Sequence, residues 1–389
     1  MRKLPLFPVT MVGSWPRSNE LLRAQKLKRA GQLSAAEFEK LADEAVLEVL
    51  RLQEKAGVDI VTDGEQRRDN FYSFVSEKLG GVKLMTLAEM LDIIEDKEAF
   101  EKILKTLDVP AYSLSNPTCV GKIERKTPLA LNELQFLKKH TTKPVKIPLP
   151  GPYLLTRAMF VKEVTKKVYK SKEELAVDVV RILRDEIREL IEAGADFIQF
   201  DEPVLTEVAF SRGKTRTFMC ASLAASGDPT KELEFAVSLI NQVLEGLPPV
   251  FTGLHICRGN WSKDESTLLE GTYAPLKPWL ERLNVKQLVL EYATERAGDA
   301  MAFGGKSLGL GVCNPRTDVI ERPEEIVEMV EKALKLYAPE QIYLNPDCGF
   351  GTFSNSPVAT SGIAALKMQA IARAAKELRK RNKSMNRSK

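Results

Sequence analysis

His255 and Cys257 stand two residues apart at the end of the apolar stretch 250–256, and His255 is one of only two histidines in the chain. In a strand, side chains two residues apart point the same way, so an imidazole and a thiol are aimed at one point. A nitrogen and a sulfur so placed suit a soft divalent metal such as zinc. The pair alone is a weak signal, because cysteine is also a common small core residue. Two more donors follow later apolar runs: Glu291 after 287–290 and Cys348 after 341–344. His255, Cys257, Glu291 and Cys348 together offer one nitrogen, two sulfurs and one oxygen, which matches four-coordinate zinc in type and number. Thiolates already donate charge to such a metal, so it activates water poorly. It suits a substrate thiol, which displaces a weaker oxygen ligand, binds as thiolate and stays nucleophilic. The chemistry expected is alkyl transfer to sulfur, ahead of hydrolysis.

Ser14, Glu65 and Asp201 also close apolar runs. Two carboxylates and a hydroxyl suit the ammonium and carboxylate of an amino acid. Taken singly, each of these polar residues is an ordinary loop residue; Asp201 could cap a helix and Cys348 could sit in a turn beside Gly349. The same carboxylates could form the acid–base pair of a glycoside hydrolase, but that reading leaves the cysteines and His255 without a role. A non-catalytic barrel that keeps zinc for stability is the bland alternative.

The elements that must position these groups alternate. Apolar runs near residues 10, 60, 146, 199, 253, 289, 310 and 343 read as eight strands. Between them lie amphipathic helical stretches, at 34–55, 172–193, 231–244, 277–283, 323–336 and 359–379. Strand–helix alternation means parallel strands with helical crossovers. Eight units favour a closed (β/α)8 barrel, whose active site lies at the C-terminal strand ends, where the candidate residues fall. No Gly-x-Gly-x-x-Gly follows an early strand, which argues against a dinucleotide fold. The expectation is one catalytic α/β barrel domain, (β/α)8, over residues 1–389. An insertion at about 69–143 follows the second strand, with a helical piece at 86–107 and a hairpin strand at 118–125.

Composition bounds the rest. Of 389 residues, 44% are apolar and 28% charged, with a net charge of +4, as in a globular protein with a sizeable core. The basic excess gathers at 376–389 without interleaved aromatics, so it reads as the end of a solvated helix that then frays, and nucleic acid is not an expected partner. No apolar run is long enough for a membrane span and no signal-peptide core opens the chain, so a cytoplasmic location is expected. Five scattered cysteines (Cys119, Cys220, Cys257, Cys313 and Cys348) fit thiols and ligands better than a disulfide framework.

Several motifs together resemble the catalytic barrel of cobalamin-independent methionine synthase, over nearly the whole chain. They are Val12-Gly13-Ser14, Asp63-Gly64-Glu65, the run Ile198 to Pro203, the His255-x-Cys257 pair, Leu290-Glu291-Tyr292 and the run Asn345 to Gly349. The resemblance implies that His255, Cys257, Glu291 and Cys348 bind zinc, and that Ser14, Glu65 and Asp201 hold the backbone groups of homocysteine. It is to the short, single-barrel branch, without the additional N-terminal barrel of the folate-using enzymes. Those enzymes place a histidine after the seventh strand to protonate the departing folate. Here 311–318 contains none, which leaves Arg316 and Asp318 as candidate proton donors; His140 is expected on the surface. The methyl donor stays open among methylcobalamin, a corrinoid protein and methyltetrahydrofolate. The same superfamily includes zinc enzymes that open an epoxide with the thiol of coenzyme M, and the run His255 to Trp261 resembles theirs as well. A sulfonated thiol would call for arginines, for which Arg67, Arg68 and Arg316 are available.

Overall fold

A computed structural model describes residues 4–93, 115–210 and 227–387. Strand β1 (Leu79–Thr86) pairs antiparallel with β2 (Ser115–Arg125); β2 contains the hairpin strand expected at 118–125, and β1 is a partner the sequence pattern does not announce. Six strands then run parallel in chain order: β3 (Lys146–Pro150), β4 (Phe197–Asp201), β5 (Phe251–Ile256), β6 (Gln287–Leu290), β7 (Ser307–Gly311) and β8 (Ile342–Asn345). Nearly every residue of these six is buried, as expected when helices cover a parallel sheet.

The two remaining barrel positions are shorter than the sequence suggests. Single parallel bridges link Leu344 to Val9, Thr10 to Ile60 and Val61 to Val145, and these complete the ring from β8 back to β3. The ladder cannot lengthen at its start, because Pro8 has no N–H and the Val9 N–H is taken by the Asp59 carboxylate at 2.9 Å. The last helix, Ser361–Arg387, staples this seam: Arg379 donates to the carbonyls of Leu6 and Phe7 and to Asp59.

Local signals set the crossovers. The helix Ala35–Ala56 begins in a capping box of Ser34 and Glu37 and stops at Gly57, whose φ of 91° an L side chain adopts only with strain. The helices Lys172–Glu192 and Pro229–Leu244 are capped by Ser171 and Asp228. The stretch 277–283 holds only the short helix Lys277–Leu280, preceded by a 3-10 turn at Ala274–Leu276. Of the piece expected at 86–107, the helix Leu87–Ile93 is present and the remainder from 94 lies outside the described residues. The basic C-terminal run stays helical through Arg387 rather than fraying. No helix among the described residues is long and apolar enough to cross a membrane.

The barrel interior is layered. Phe197, Phe251 and Tyr343 pack at the strand starts, with ring centroids 4.9 Å and 5.6 Å apart along that series, and Ile60 joins them. This aromatic plug seals one end. Two residues up each strand come Gln199, Gly253 and Asn345, and two further come Asp201, His255 and Asp347. Alternation therefore carries the polar groups to the open, C-terminal end.

Candidate active site and metal centre

One atom each of His255, Cys257 and Cys348 lie within 4.8 Å of one another, and all three side chains are buried. The β4–β5 register sets Asp201 opposite His255, and Asp201 Oδ1 sits 2.9 Å from His255 Nδ1. A carboxylate accepts only, so Nδ1 carries a hydrogen; Nε2, 3.4 Å from the Asp347 carbonyl oxygen, is the nitrogen available to a metal, the arrangement usual for histidine ligands. Burial lowers the His255 pKa, but the Asp201 hydrogen bond and the charges of Cys257, Asp201 and Glu291 outweigh it and raise the group to about 9. The Cys348 thiol donates to Cys257, which lowers the Cys257 pKa and raises that of Cys348. The donor chemistry fits zinc: one nitrogen with its second nitrogen engaged, and two sulfurs in mutual hydrogen-bond contact.

Glu291 is adjacent, and its charge raises both His255 and Cys348. Its oxygens, however, are held by Asn260, by Arg258 at 3.3 Å and by Arg296 at 3.5 Å. It does not join the three-atom group. Arg258 is itself fixed over the Tyr273 ring, 3.9 Å from its centroid, and donates to the Gly271 carbonyl. Tyr273 in turn accepts from the Glu291 N–H and donates to the Ile256 carbonyl. The sequence assigns Arg258 and Asn260 no separate role, although both lie in the run His255 to Trp261, and it offers no signal for Tyr273.

The cavity over this group is lined by Ser14, Glu65, Asp201, His255, Cys257, Asn260 and Cys348, with Phe71, Pro203, Gly349 and Thr352 among its walls. Glu65 lies in a tight turn at φ 55°, an uncommon conformation for a side-chain-bearing residue. Its N–H donates to Asp63 Oδ1, and its carbonyl accepts from Arg17. Its Oε2 is buried with no hydrogen-bond partner among the described residues. Burial pushes the Glu65 carboxyl up to about 7; Arg68 and Arg17 pull it down and Asp201 and Asp63 add to the rise. Ser14 is pressed against the turn after Cys348. Its Oγ accepts from the Gly351 N–H at 3.3 Å, and a Cβ on Gly349 would come within 2.1 Å of that oxygen. Gly349 is thus glycine because the cavity wall requires close approach.

Neighbouring carboxylates serve the scaffold. Asp347 Oδ1 accepts from the Tyr292 and Ala293 N–H groups and ties the end of β6 to that of β8. Glu202, raised to about 8 by burial, caps the helix Pro152–Met159 through the Tyr153 and Leu154 N–H groups. The two candidate proton donors do not line the cavity. Arg316 is buried but spent on Asn260 and Glu265, and Asp318 is 64% exposed beside Lys263. His140 is exposed, as expected. Arg67 is paired with Glu39 and Asp43, and Arg68 with Glu133. Cys119, Cys257, Cys313 and Cys348 are free thiols, and Cys220 lies outside the described residues.

The chain matches a family model described as the catalytic domain of cobalamin-independent synthase over residues 7–226 and 272–374. It is 30% identical to a methionine synthase of Sulfurisphaera tokodaii over 352 residues, covering 90% of this chain and 87% of that protein. A methionine synthase of Thermococcus kodakarensis is also 30% identical, with 89% and 88% covered. Among solved structures, a B12-independent methionine synthase from Shewanella in complex with selenomethionine superposes with a TM-score of 0.72 at 26% identity, covering 97% of this chain and 99% of the other. The unmatched stretch 227–271 contains β5 with His255 and Cys257, so for that pair the geometry stands apart from the family match. The chain belongs to the cobalamin-independent methionine synthase family and is a methyltransferase of that family.

Proposed function

We propose that the protein transfers a methyl group to the thiol of homocysteine, giving methionine, at a zinc ion held by His255, Cys257 and Cys348. The observation that carries this reading is the conjunction in one cavity of a nitrogen–sulfur–sulfur cluster with the Glu65 carboxylate, one oxygen of which lacks a partner among the described residues. Zinc there would act as a Lewis acid that lowers the pKa of a bound thiol and keeps it nucleophilic. Glu291 would be the fourth, oxygen ligand, and Arg258, Asn260 and Arg296 would hold its carboxylate beside the metal.

The chain's own residues handle the amino-acid end. Glu65 accepts the substrate ammonium, which supplies the hydrogen bond its Oε2 lacks; Asp201 adds negative charge on the same side. Ser14 offers a hydroxyl to the substrate carboxylate. Nearly all the lining residues are buried, which limits the water that competes with the sulfur for the donor's methyl carbon. The new S–C bond forms as the donor's bond to methyl breaks, and the electron pair leaves with the donor. With Arg316 and Asp318 off the cavity wall, a donor whose leaving group departs without a proton, such as methylcobalamin or a corrinoid protein, fits these surroundings better than methyltetrahydrofolate.

A sulfonated thiol such as coenzyme M fits less well, because no arginine or lysine lines the cavity among the described residues. The test is titration of zinc-loaded protein with homocysteine, alanine and coenzyme M, followed by a donor panel of methylcobalamin and methyltetrahydrofolate. Homocysteine should bind far more tightly than alanine and turn over to methionine. Equal binding of the two amino acids would overturn the reading, and a response to coenzyme M alone would replace it.

A further inference from the structure

Below the cavity a file of buried polar groups runs down the barrel interior from His255. Asp201 Oδ1, 2.9 Å from His255 Nδ1, takes a second hydrogen bond of 3.0 Å from Gln199 Nε2. Gln199 Nε2 also donates to the Val12 carbonyl at 2.9 Å, and its Oε1 accepts from Lys146 Nζ at 3.1 Å. Lys146 and Gln199 are buried and do not line the cavity, so neither can touch a substrate or a metal there. A lysine inside a barrel is expensive: burial pulls its pKa down to about 7, only partly offset by Asp201. An apolar side chain of similar volume would fill that space at less cost.

What the lysine does is orient an amide. Gln199 faces two acceptors, the Val12 carbonyl and the Asp201 carboxylate, and one donor, Lys146. Only one orientation satisfies all three; turned over, the amide would set oxygen against oxygen twice and N–H against N–H once. The amide so fixed pins Asp201 Oδ1, and the pinned carboxylate requires the hydrogen of His255 on Nδ1. Gln199 and Asp201 are two residues apart on β4, and Asp201 pairs with His255 across β4–β5, so the file is built on rigid strands.

We propose that Lys146 and Gln199 are positioning residues for the metal centre, holding Asp201 in the one orientation that keeps the His255 hydrogen on Nδ1 and so makes Nε2 the zinc donor beside Cys257 and Cys348. The proposal rests on the zinc reading of that cluster. Two variants test it: Lys146→Met, which removes the donor, and Gln199→Glu, which keeps the size and the Lys146 contact but sets an acceptor against Asp201. Lys306→Met is the control, since that buried lysine donates to the Leu283 and Val285 carbonyls, outside this file. Each full-length protein is loaded with zinc, and its zinc release to a chelator and its 15N–1H imidazole spectrum are recorded. With only two histidines, His140 and His255, the spectrum is readily assigned.

Native protein should show a protected His255 Nδ1 proton. Both test variants should lose that protection and release zinc about tenfold faster, as for outer-shell partners of metal ligands, while Lys306→Met loses thermal stability but neither of these properties. Test variants that match native protein in both readouts would overturn the proposal while leaving the zinc reading standing. So would a control that shifts both readouts as far as the test variants do. Native protein that takes up no zinc would remove the zinc reading and the proposal together. If Lys146→Met fails to fold, the Gln199→Glu comparison decides.

Discussion

Replacing Glu65 by glutamine should stabilise the protein at neutral and alkaline pH while damaging substrate binding. The folded carboxyl titrates at about 7 instead of its usual 4.5, mainly because it is buried, and its Oε2 has no partner among the described residues. Each tenfold change in proton affinity corresponds to about 1.4 kcal/mol, so holding this carboxylate charged in the fold costs about 3 kcal/mol. A folded pKa raised above the unfolded one means that the folded state binds the extra proton. Stability from this group is therefore present below about pH 4.5 and is lost as pH rises through about 7. Glutamine is neutral throughout. The gain of Glu65→Gln over native protein should grow by about 2 kcal/mol between pH 5 and pH 8, whatever constant offset the new amide brings. Urea midpoints at the two pH values, followed by tryptophan fluorescence, read this directly. The same change removes the partner of the substrate ammonium, and a hydrogen bond between charged groups contributes about 1.5–3 kcal/mol, so the KM for homocysteine should rise about tenfold to a hundredfold. In native protein that KM should increase as pH falls below about 7, because the carboxyl must ionise to hold an ammonium; in the variant this dependence should vanish. A variant whose gain is the same at pH 5 and pH 8 would refute the assignment of an uncompensated buried carboxylate.

Three further outcomes follow from the site. Cys348→Ser should lose most of its zinc by metal analysis and fall in activity by about two orders of magnitude, with an unchanged circular dichroism spectrum; full activity with bound zinc would contradict the ligand assignment. Gly349→Ala places a Cβ within 2.1 Å of Ser14 Oγ, so the wall must shift, and homocysteine binding measured by calorimetry should weaken by about tenfold, the scale of a 1.4 kcal/mol loss. Asp318→Asn changes a side chain that is 64% exposed and off the cavity wall; its kcat–pH profile should overlay that of native protein, and a lost limb would restore Asp318 as a proton donor.

Much of the architecture was legible because its signals are local. The capping box at Ser34 and Glu37 and the stop at Gly57 delimit a crossover helix by short-range hydrogen bonds and a φ that favours glycine. Parallel strands buried on both faces leave short apolar runs that stand out from their polar loops. The two strands expected near residues 10 and 60 form only single bridges, because Pro8 and the Asp59 side chain interrupt the ladder there. Hydropathy carries no trace of that interruption.

For the site, the sequence by itself determined which donor atoms are available and that His255 and Cys257 share a direction, since period-two geometry is a property of a single strand. Only the tertiary structure decided which donors meet. Cys348 joins the pair because ring closure brings the end of β8 to the same rim. Asp201 contacts His255 because the β4–β5 register sets them opposite each other. Glu291, equal to the others as a donor on paper, is turned to Arg258, Asn260 and Arg296 by hydrogen bonds that its own strand does not encode. The pKa of Glu65 likewise belongs to the fold, because burial and the neighbouring charges that set it arise only when distant segments close around the carboxyl.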